Sequence, residues 1–175
     1  IIVPKTSSEN RYYIPMGFVE DIITSSSSLM INDATIYDFG IMTSIMHNAW
    51  TRTTCGRLKS DYRYSASIVY NNFPWPLNPS DKQKQSIEAA AQAVLDARAT
   101  HPECSLADLY DPLTMPVNLL KAHQQLDKAV DAAYGKTKFA NEAERVAFLF
   151  ELYQQYTAPI VPIEQVKPKK TKSKV

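Results

Sequence analysis

The sequence predicts a mainly α-helical chain with a small α+β part at its N-terminal end and a helical bundle at its C-terminal end. Three observations predict it. From Ser80 onward, apolar residues recur at three- and four-residue spacing between recognisable helix caps. Between Arg11 and Ile31, short apolar runs alternate with polar turns instead. Between these two styles stands Pro74-Trp75-Pro76-Leu77-Asn78-Pro79, a proline-rich stretch that neither a helix nor a central strand can run through. On this reading residues 1–76 and 77–158 are two units, and 159–175 is a basic tail with too little apolar surface to fold alone.

The chain opens on Ile1-Ile2-Val3-Pro4, which reads as a strand cut from something longer, with none of the features of a signal peptide. Tyr12 to Val19 reads as a strand or an irregular extended segment. Ser25 to Ser28 reads as a turn, and Leu29-Met30-Ile31 as a second short strand. The period then changes: Ile36, Phe39, Met42, Met46, Ala49 and Trp50 share one helical face. Asn32, Asp33 and Thr35 are its candidate N-caps and Gly56 its stop. Met42, Met46 and Trp50 on that face are expected in the core, not around a ligand.

Beyond the prolines, Ser80 and Gln83 form a capping box ahead of a stripe of Ile87, Ala90, Ala91, Val94 and Leu95. His101-Pro102 ends that helix, and a short helical turn follows at Leu106 to Tyr110. Pro116 opens another helix with Leu119, Leu120, His123, Leu126, Val130 and Ala133 inward and Gly135 as its stop. Asn141 with Glu144 caps the last, carrying Val146, Leu149, Phe150 and Tyr153. Three long helices of this kind are expected to bury one another as a small bundle.

Composition excludes more than it selects. The 175 residues carry a formal charge of +1, distributed unevenly: 77–158 is net acidic, and the end of the chain holds a run of lysines. Cys55 and Cys104 lie far apart, and His47, His101 and His123 are scattered, so no metal-ligand spacing is present and a reduced, cytoplasmic setting is expected. No apolar run is long enough for a membrane span. Four dispersed glycines build neither a GxGxxG nor a GxxxxGK[ST] phosphate cradle, and no GxSxG or HExxH motif occurs. Asn71-Asn72-Phe73-Pro74 has the residue types of an adenine methyltransferase motif but the wrong order, because proline follows the aromatic ring. It reads as a seam between the two units, and no catalytic residue is expected in the chain.

The chemistry concentrates elsewhere. Arg52, Arg57, Lys59 and Arg63 fall close together, interleaved with Tyr62 and Tyr64. Guanidinium and ammonium groups neutralise phosphates or read guanine edges, and tyrosines add short-range hydrogen bonds. These six residues are the DNA-binding candidates. The competing reading is structural, with Asp61 pairing one or two of the bases.

Those same residues carry a family likeness. The runs Ile36 to Trp50, Cys55 to Ser65, Val69 to Pro76, Leu106 to Pro116, Leu126 to Gly135 and Glu144 to Tyr153 resemble the MmeI-like type II restriction–modification enzymes and related class I DNA methyltransferases. The resemblance implies a C-terminal fragment: residues 1–76 the end of a DNA target-recognition domain, 77–158 a helical C-terminal domain. It further implies a parent that methylates adenine N6 with S-adenosylmethionine and has, in some relatives, an endonuclease and Mg2+. By that likeness the partners are double-stranded DNA and the upstream methyltransferase and recognition regions of the same polypeptide, with no cofactor bound by this fragment. The alternative is a helical module for interdomain or subunit association that touches no DNA.

Overall fold

A computed structural model describes residues 1–19, 23–136 and 138–158; the basic tail, on which one sequence expectation rests, lies outside them. Strand β1 (Ile2–Pro4) pairs antiparallel with β3 (Ser28–Met30), Val3 opposite Leu29. Ile1 and Ile31 extend this ladder by exchanging hydrogen bonds of 2.8 Å. The segment from Tyr12 onward is irregular, and touches β1 through paired Ile2 and Gly17 bonds. A second antiparallel sheet has the order β2-β5-β4, from β2 (Thr6–Ser7), β4 (Gly56–Leu58) and β5 (Asp61–Arg63).

The helical face expected from Ile36 to Trp50 is divided between two helices, α1 (Ile36–Thr43) and α2 (Ile45–Thr54). Thr35 is the N-cap of α1, in a capping box with Asp38. The break has a local cause. The Thr43 hydroxyl donates to the Phe39 carbonyl and the Ser44 hydroxyl to the Ile41 carbonyl, while Ser44 itself turns to extended backbone. Hydroxyls that bond back to the preceding turn compete with the helical ladder. Gly56 is not a helix stop: α2 ends at Thr54, and Gly56 begins β4.

Together α1 and α2 form the centre of the molecule. Phe39 to Thr43 and Met46 to Thr51 are all buried, so these helices are covered on every side. Met42, Met46 and Trp50 are core residues, as expected. The Trp50 indole donates to the Val69 carbonyl at 3.0 Å, fixing the π-helical turn Ala66–Tyr70 against α2.

Helix α3 (Asp81–Ala99) begins at the Ser80–Gln83 capping box. It packs antiparallel along α5 (Val117–Ala133), because Gln83 Nε2 at its start donates to the Ala132 carbonyl at the end of α5. The short α4 (Leu106–Leu109) lies between them. Helix α5 ends in a Schellman motif: Lys136 N–H donates to Asp131 O, Gly135 N–H donates to Ala132 O, and Gly135 has φ +75°. Asn141 caps α6 (Glu142–Thr157).

The three long helices do not close into a bundle by themselves. The α3–α5 pair takes α1 across its face, and α6 packs on α2, setting Phe150 and Tyr153 5.2 and 5.8 Å from Trp50, while Arg145 ties it to Asp131 of α5 at 2.6 Å. The apolar face of α6 therefore covers tryptophan from the first half of the chain, a partner that periodicity cannot name. The core is accordingly one cluster, running from Val3 and Met16 through Phe39, Met46 and Trp50 to Leu119, Leu126 and Leu149. The proline stretch is fastened to it, with Pro74 O accepting from the Tyr134 hydroxyl and Trp75 O from the Tyr156 hydroxyl.

Gly40 permits the closest approach between the halves: a Cβ there would lie 2.7 Å from Ile87 Cγ2 and 3.1 Å from Ala91 Cβ. Replacing it with valine is expected to force α1 off α3 and lower stability by about 1–3 kcal/mol, more than any gain in helix propensity restores. Urea unfolding of Gly40→Val checks this, and an unchanged midpoint would contradict the packing described.

Candidate nucleic-acid interface

The basic stretch forms a hairpin. Leu58 pairs with Asp61 across a two-residue turn of Lys59 and Ser60, with Lys59 at φ 57°. In such a ladder, directly opposed residues share a face. Arg57 and Tyr62 are therefore on one face, together with Ser7 of β2. Gly56, Leu58, Asp61 and Arg63 lie on the other, beside Thr6.

The six candidates consequently divide. Tyr62, 7% exposed, is covered by the Arg57 guanidinium, 4.2 Å from its ring centre. Arg57 also donates to the Ser60 carbonyl at 2.8 Å and reaches Glu9 at 3.3 Å, yet its side chain remains 44% exposed. Tyr64 points inward at 4% exposure, with its hydroxyl 3.1 Å from His47 Nε2. Arg52 is committed to the fold: it donates to the Tyr12 and Arg11 carbonyls and pairs with Glu142 at the start of α6. Lys59 at the tip and Arg63 on the open face are exposed and make no salt bridge among the described residues. Asp61 pairs with none of the bases there. The structure thus brings Arg57, Lys59 and Arg63 to one exposed hairpin and sets Arg52 and Tyr64 beneath it.

Sequence reasoning missed Thr6 and Leu58, which share the open face with Arg63. The only available signal was period-two alternation in strands of two and three residues, too short to register.

Behind the hairpin, polar side chains from the second half of the chain grip the first. Arg98 on α3 is buried and donates to Met16 O at 2.9 Å and, through Nε and Nη2, to the Tyr110 hydroxyl. Because that hydroxyl accepts from Arg98, its own proton goes to His123 Nε2, 2.6 Å away. Tyr13 stacks on the His123 ring, with centroids 4.1 Å apart, and donates its hydroxyl to Asp127 Oδ2 at 2.7 Å. The second Asp127 oxygen accepts Ile45 N–H at 2.7 Å.

Burial governs the titration of these groups. It holds His47 and His123 down to about 3, so both stay neutral at ordinary pH. It raises the Asp127 carboxyl to about 6 despite the hydrogen bonds from Ile45 and Tyr13 that favour its charged form. A cleft of about 600 Å³ lies away from all three, lined by Ile1, Phe18, Val19, Met30, Asn32 and Asp33. Among the described residues, no cluster of His, Cys, Asp and Glu converges to hold a metal ion. The glycines do not fit a cofactor cradle either: Gly40 is filled by Ile87, Gly17 bridges Ile2, Gly56 starts β4 and Gly135 ends α5.

An exposed basic hairpin standing on a helical frame suits recognition and scaffolding. The comparisons agree. Residues 1–77 match the MmeI target recognition domain, and residues 79–161 match the MmeI C-terminal domain. The chain belongs to the MmeI family, and the parts it matches are not the catalytic methyltransferase core. A solved structure of the type IIL restriction-modification enzyme MmeI in complex with DNA is similar at TM-score 0.86 and 54% identity, covering 90% of this chain and 21% of that one. DNA methyltransferase A of Bacillus subtilis (strain 168) is 47% identical over 158 residues, which are 90% of this chain and 18% of that protein. The chain spans about a fifth of the length of these relatives.

The titration shifts set the pH dependence of stability. Unfolded histidine takes up a proton near 6.5, whereas folded His47 and His123 resist until about 3. Their contribution is complete above about pH 6.5 and falls as pH drops. Asp127 acts oppositely, since its folded carboxyl keeps a proton up to about 6. The two histidines outweigh the raised Asp127 and Asp131 carboxyls, so unfolding takes up protons on balance near pH 5. Stability should therefore fall as pH drops there, by up to about 1.4 kcal/mol per pH unit. Urea titrations from pH 7 to 4.5 check the slope; a flat profile would mean the two histidines are not held neutral.

Proposed function

We propose that this chain is the non-catalytic DNA-recognition and bracing end of a DNA adenine-N6 methyltransferase or bifunctional restriction–modification enzyme. The observation that carries the proposal is the match, at 54% identity, to an enzyme solved in complex with DNA. Residues 1 to about 76 are assigned to the recognition domain and 77–158 to the helical brace. The partners are double-stranded DNA and the upstream part of the same polypeptide. S-adenosylmethionine and any Mg2+ belong to that upstream part, which supplies the methyl transfer. No helix among the described residues is long and apolar enough to cross a membrane, and a cytoplasmic setting accords with two free cysteines.

The division of labour follows from exposure. Lys59 and Arg63, exposed at the tip and open face, contact phosphate or base edges. Arg57 contributes from the other face, exchanging its weak, half-exposed contact with Glu9 for DNA. Tyr62 supports Arg57 by stacking, while Arg52 and Tyr64 hold the platform on which the hairpin stands. Bracing without any DNA contact is favoured by one observation, the commitment of Arg52 to backbone carbonyls and Glu142.

Salt-dependent binding to duplex DNA distinguishes the two readings. Lys59→Ala and Arg63→Ala are each expected to weaken binding and, where the lost contact is to phosphate, to lower the salt slope by about 1. Arg52→Ala is expected instead to lower the unfolding midpoint. If the Lys59 and Arg63 variants bind as the parent does while Arg52→Ala breaks the fold, the bracing reading stands alone.

A further inference from the structure

Helix α2 starts inside the protein, immediately after the break at Ser44. Its N-cap residue offers no side-chain hydrogen bond to the new helix, because the Ser44 hydroxyl is turned back to Ile41 O. The first N–H of α2, on Ile45, is received by Asp127 Oδ1, 82 residues further along the chain and on α5. A carboxylate at a helix N-terminus is favoured both as an acceptor and by the helix dipole. Asp127 is thus the cap that Ser44 does not supply. Its other oxygen holds the Tyr13 hydroxyl.

These two contacts meet the two chain segments that build the hairpin sheet. The C-terminal end of α2 runs straight into β4, one strand of the hairpin. The Tyr13 segment follows β2, which pairs with β5, the other strand. Between them the segments are laced together: Asn48 Oδ1 accepts Ile14 N–H at 2.8 Å, and Arg52 donates to the Tyr12 carbonyl. One carboxylate on the helical side therefore holds both the start of the helix that leads into β4 and the segment that follows β2, the strand paired with β5.

We infer that Asp127 is a positioning residue for the basic hairpin, setting its place relative to the helical frame by capping α2 and anchoring Tyr13 at once. The inference rests on the reading of that hairpin as DNA-facing. Asp127 touches no DNA itself. It acts through Ile45 and Tyr13, and its loss displaces the hairpin without removing any group that contacts DNA.

The test uses the whole chain at pH 7.5 with three variants. Asp127→Ala removes both contacts, Asp127→Asn retains an acceptor for Ile45, and Tyr13→Phe removes one arm while keeping the ring on His123. Amide hydrogen exchange is read at Ile45 and residues 56–63, against the amides of α5 as the internal standard. Asp127→Ala is expected to speed exchange at Ile45 and across 56–63 at least tenfold relative to α5, with Asp127→Asn and Tyr13→Phe intermediate. Binding to a DNA duplex gives the second readout. Removing a negative charge by itself favours binding to a polyanion, so the expected three- to tenfold weaker binding by Asp127→Asn reports lost geometry. Should Asp127→Ala fail to fold, Asp127→Asn and Tyr13→Phe decide. Hairpin exchange unchanged in both, or an Asp127→Asn variant that binds DNA as tightly as the parent or more tightly, overturns the inference. Duplex binding by the parent that is insensitive to Lys59→Ala and Arg63→Ala would sink the DNA-facing reading separately, because the exchange readout involves no DNA.

Discussion

The structure depends on how a helix interrupted inside the protein satisfies its backbone. The residues on either side of the break, Phe39 to Thr43 and Met46 to Thr51, are buried, so the break at Ser44 exposes helix ends to protein and not to water. Buried N–H and C=O groups left unpaired are costly, and every element nearby is arranged to prevent that. Hydroxyls of Thr43 and Ser44 close the first helix, the Asn48 amide reaches back to the Ser44 carbonyl, and Asp127 opens the second. The break turns the chain toward the hairpin, and its repair is made from the far half of the sequence.

The same economy explains why the two halves form one core. Arg98 has no carboxylate partner among the described residues; its charge is spread over the Tyr110 hydroxyl, the Met16 carbonyl and the faces of Phe39 and Tyr110. Such an arginine is stable only where all these groups are in place, so it registers the Tyr13–Met16 segment against α3. Tyr134 and Tyr156 perform the corresponding service for the proline stretch. A frame clasped at this many points holds its hairpin in a defined place, as the proposed recognition role requires.

Much of this was legible in the sequence, for identifiable reasons. The capping box at Ser80–Gln83, the Asn141 cap, the Pro116 start and the Gly135 stop are local signals, and each lies where the chemistry places it. The apolar stripe through Met42, Met46 and Trp50 correctly named core residues. It concealed the break at Ser44, because an interruption of one residue barely disturbs the helical period. The destination of α6 was not legible, since an apolar face does not name its partner. Of the basic cluster, the residue types were legible, but neither the hairpin nor its faces: Arg52 has the same side chain as Arg63, and only three-dimensional placement separates the structural arginine from the exposed one. Asp127 and Arg98 carried no signal, being single polar residues on otherwise ordinary helices.

In the proposed function the exposed hairpin, and not the arginine and tyrosine beneath it, meets DNA. Photo-crosslinking tests it most directly, with a photoreactive side chain placed in turn at positions 52, 59, 63 and 64 of the intact polypeptide on duplex DNA. DNA adducts are expected from positions 59 and 63 and none from 52 or 64. Adducts from 52 or 64 with none from the hairpin would contradict it.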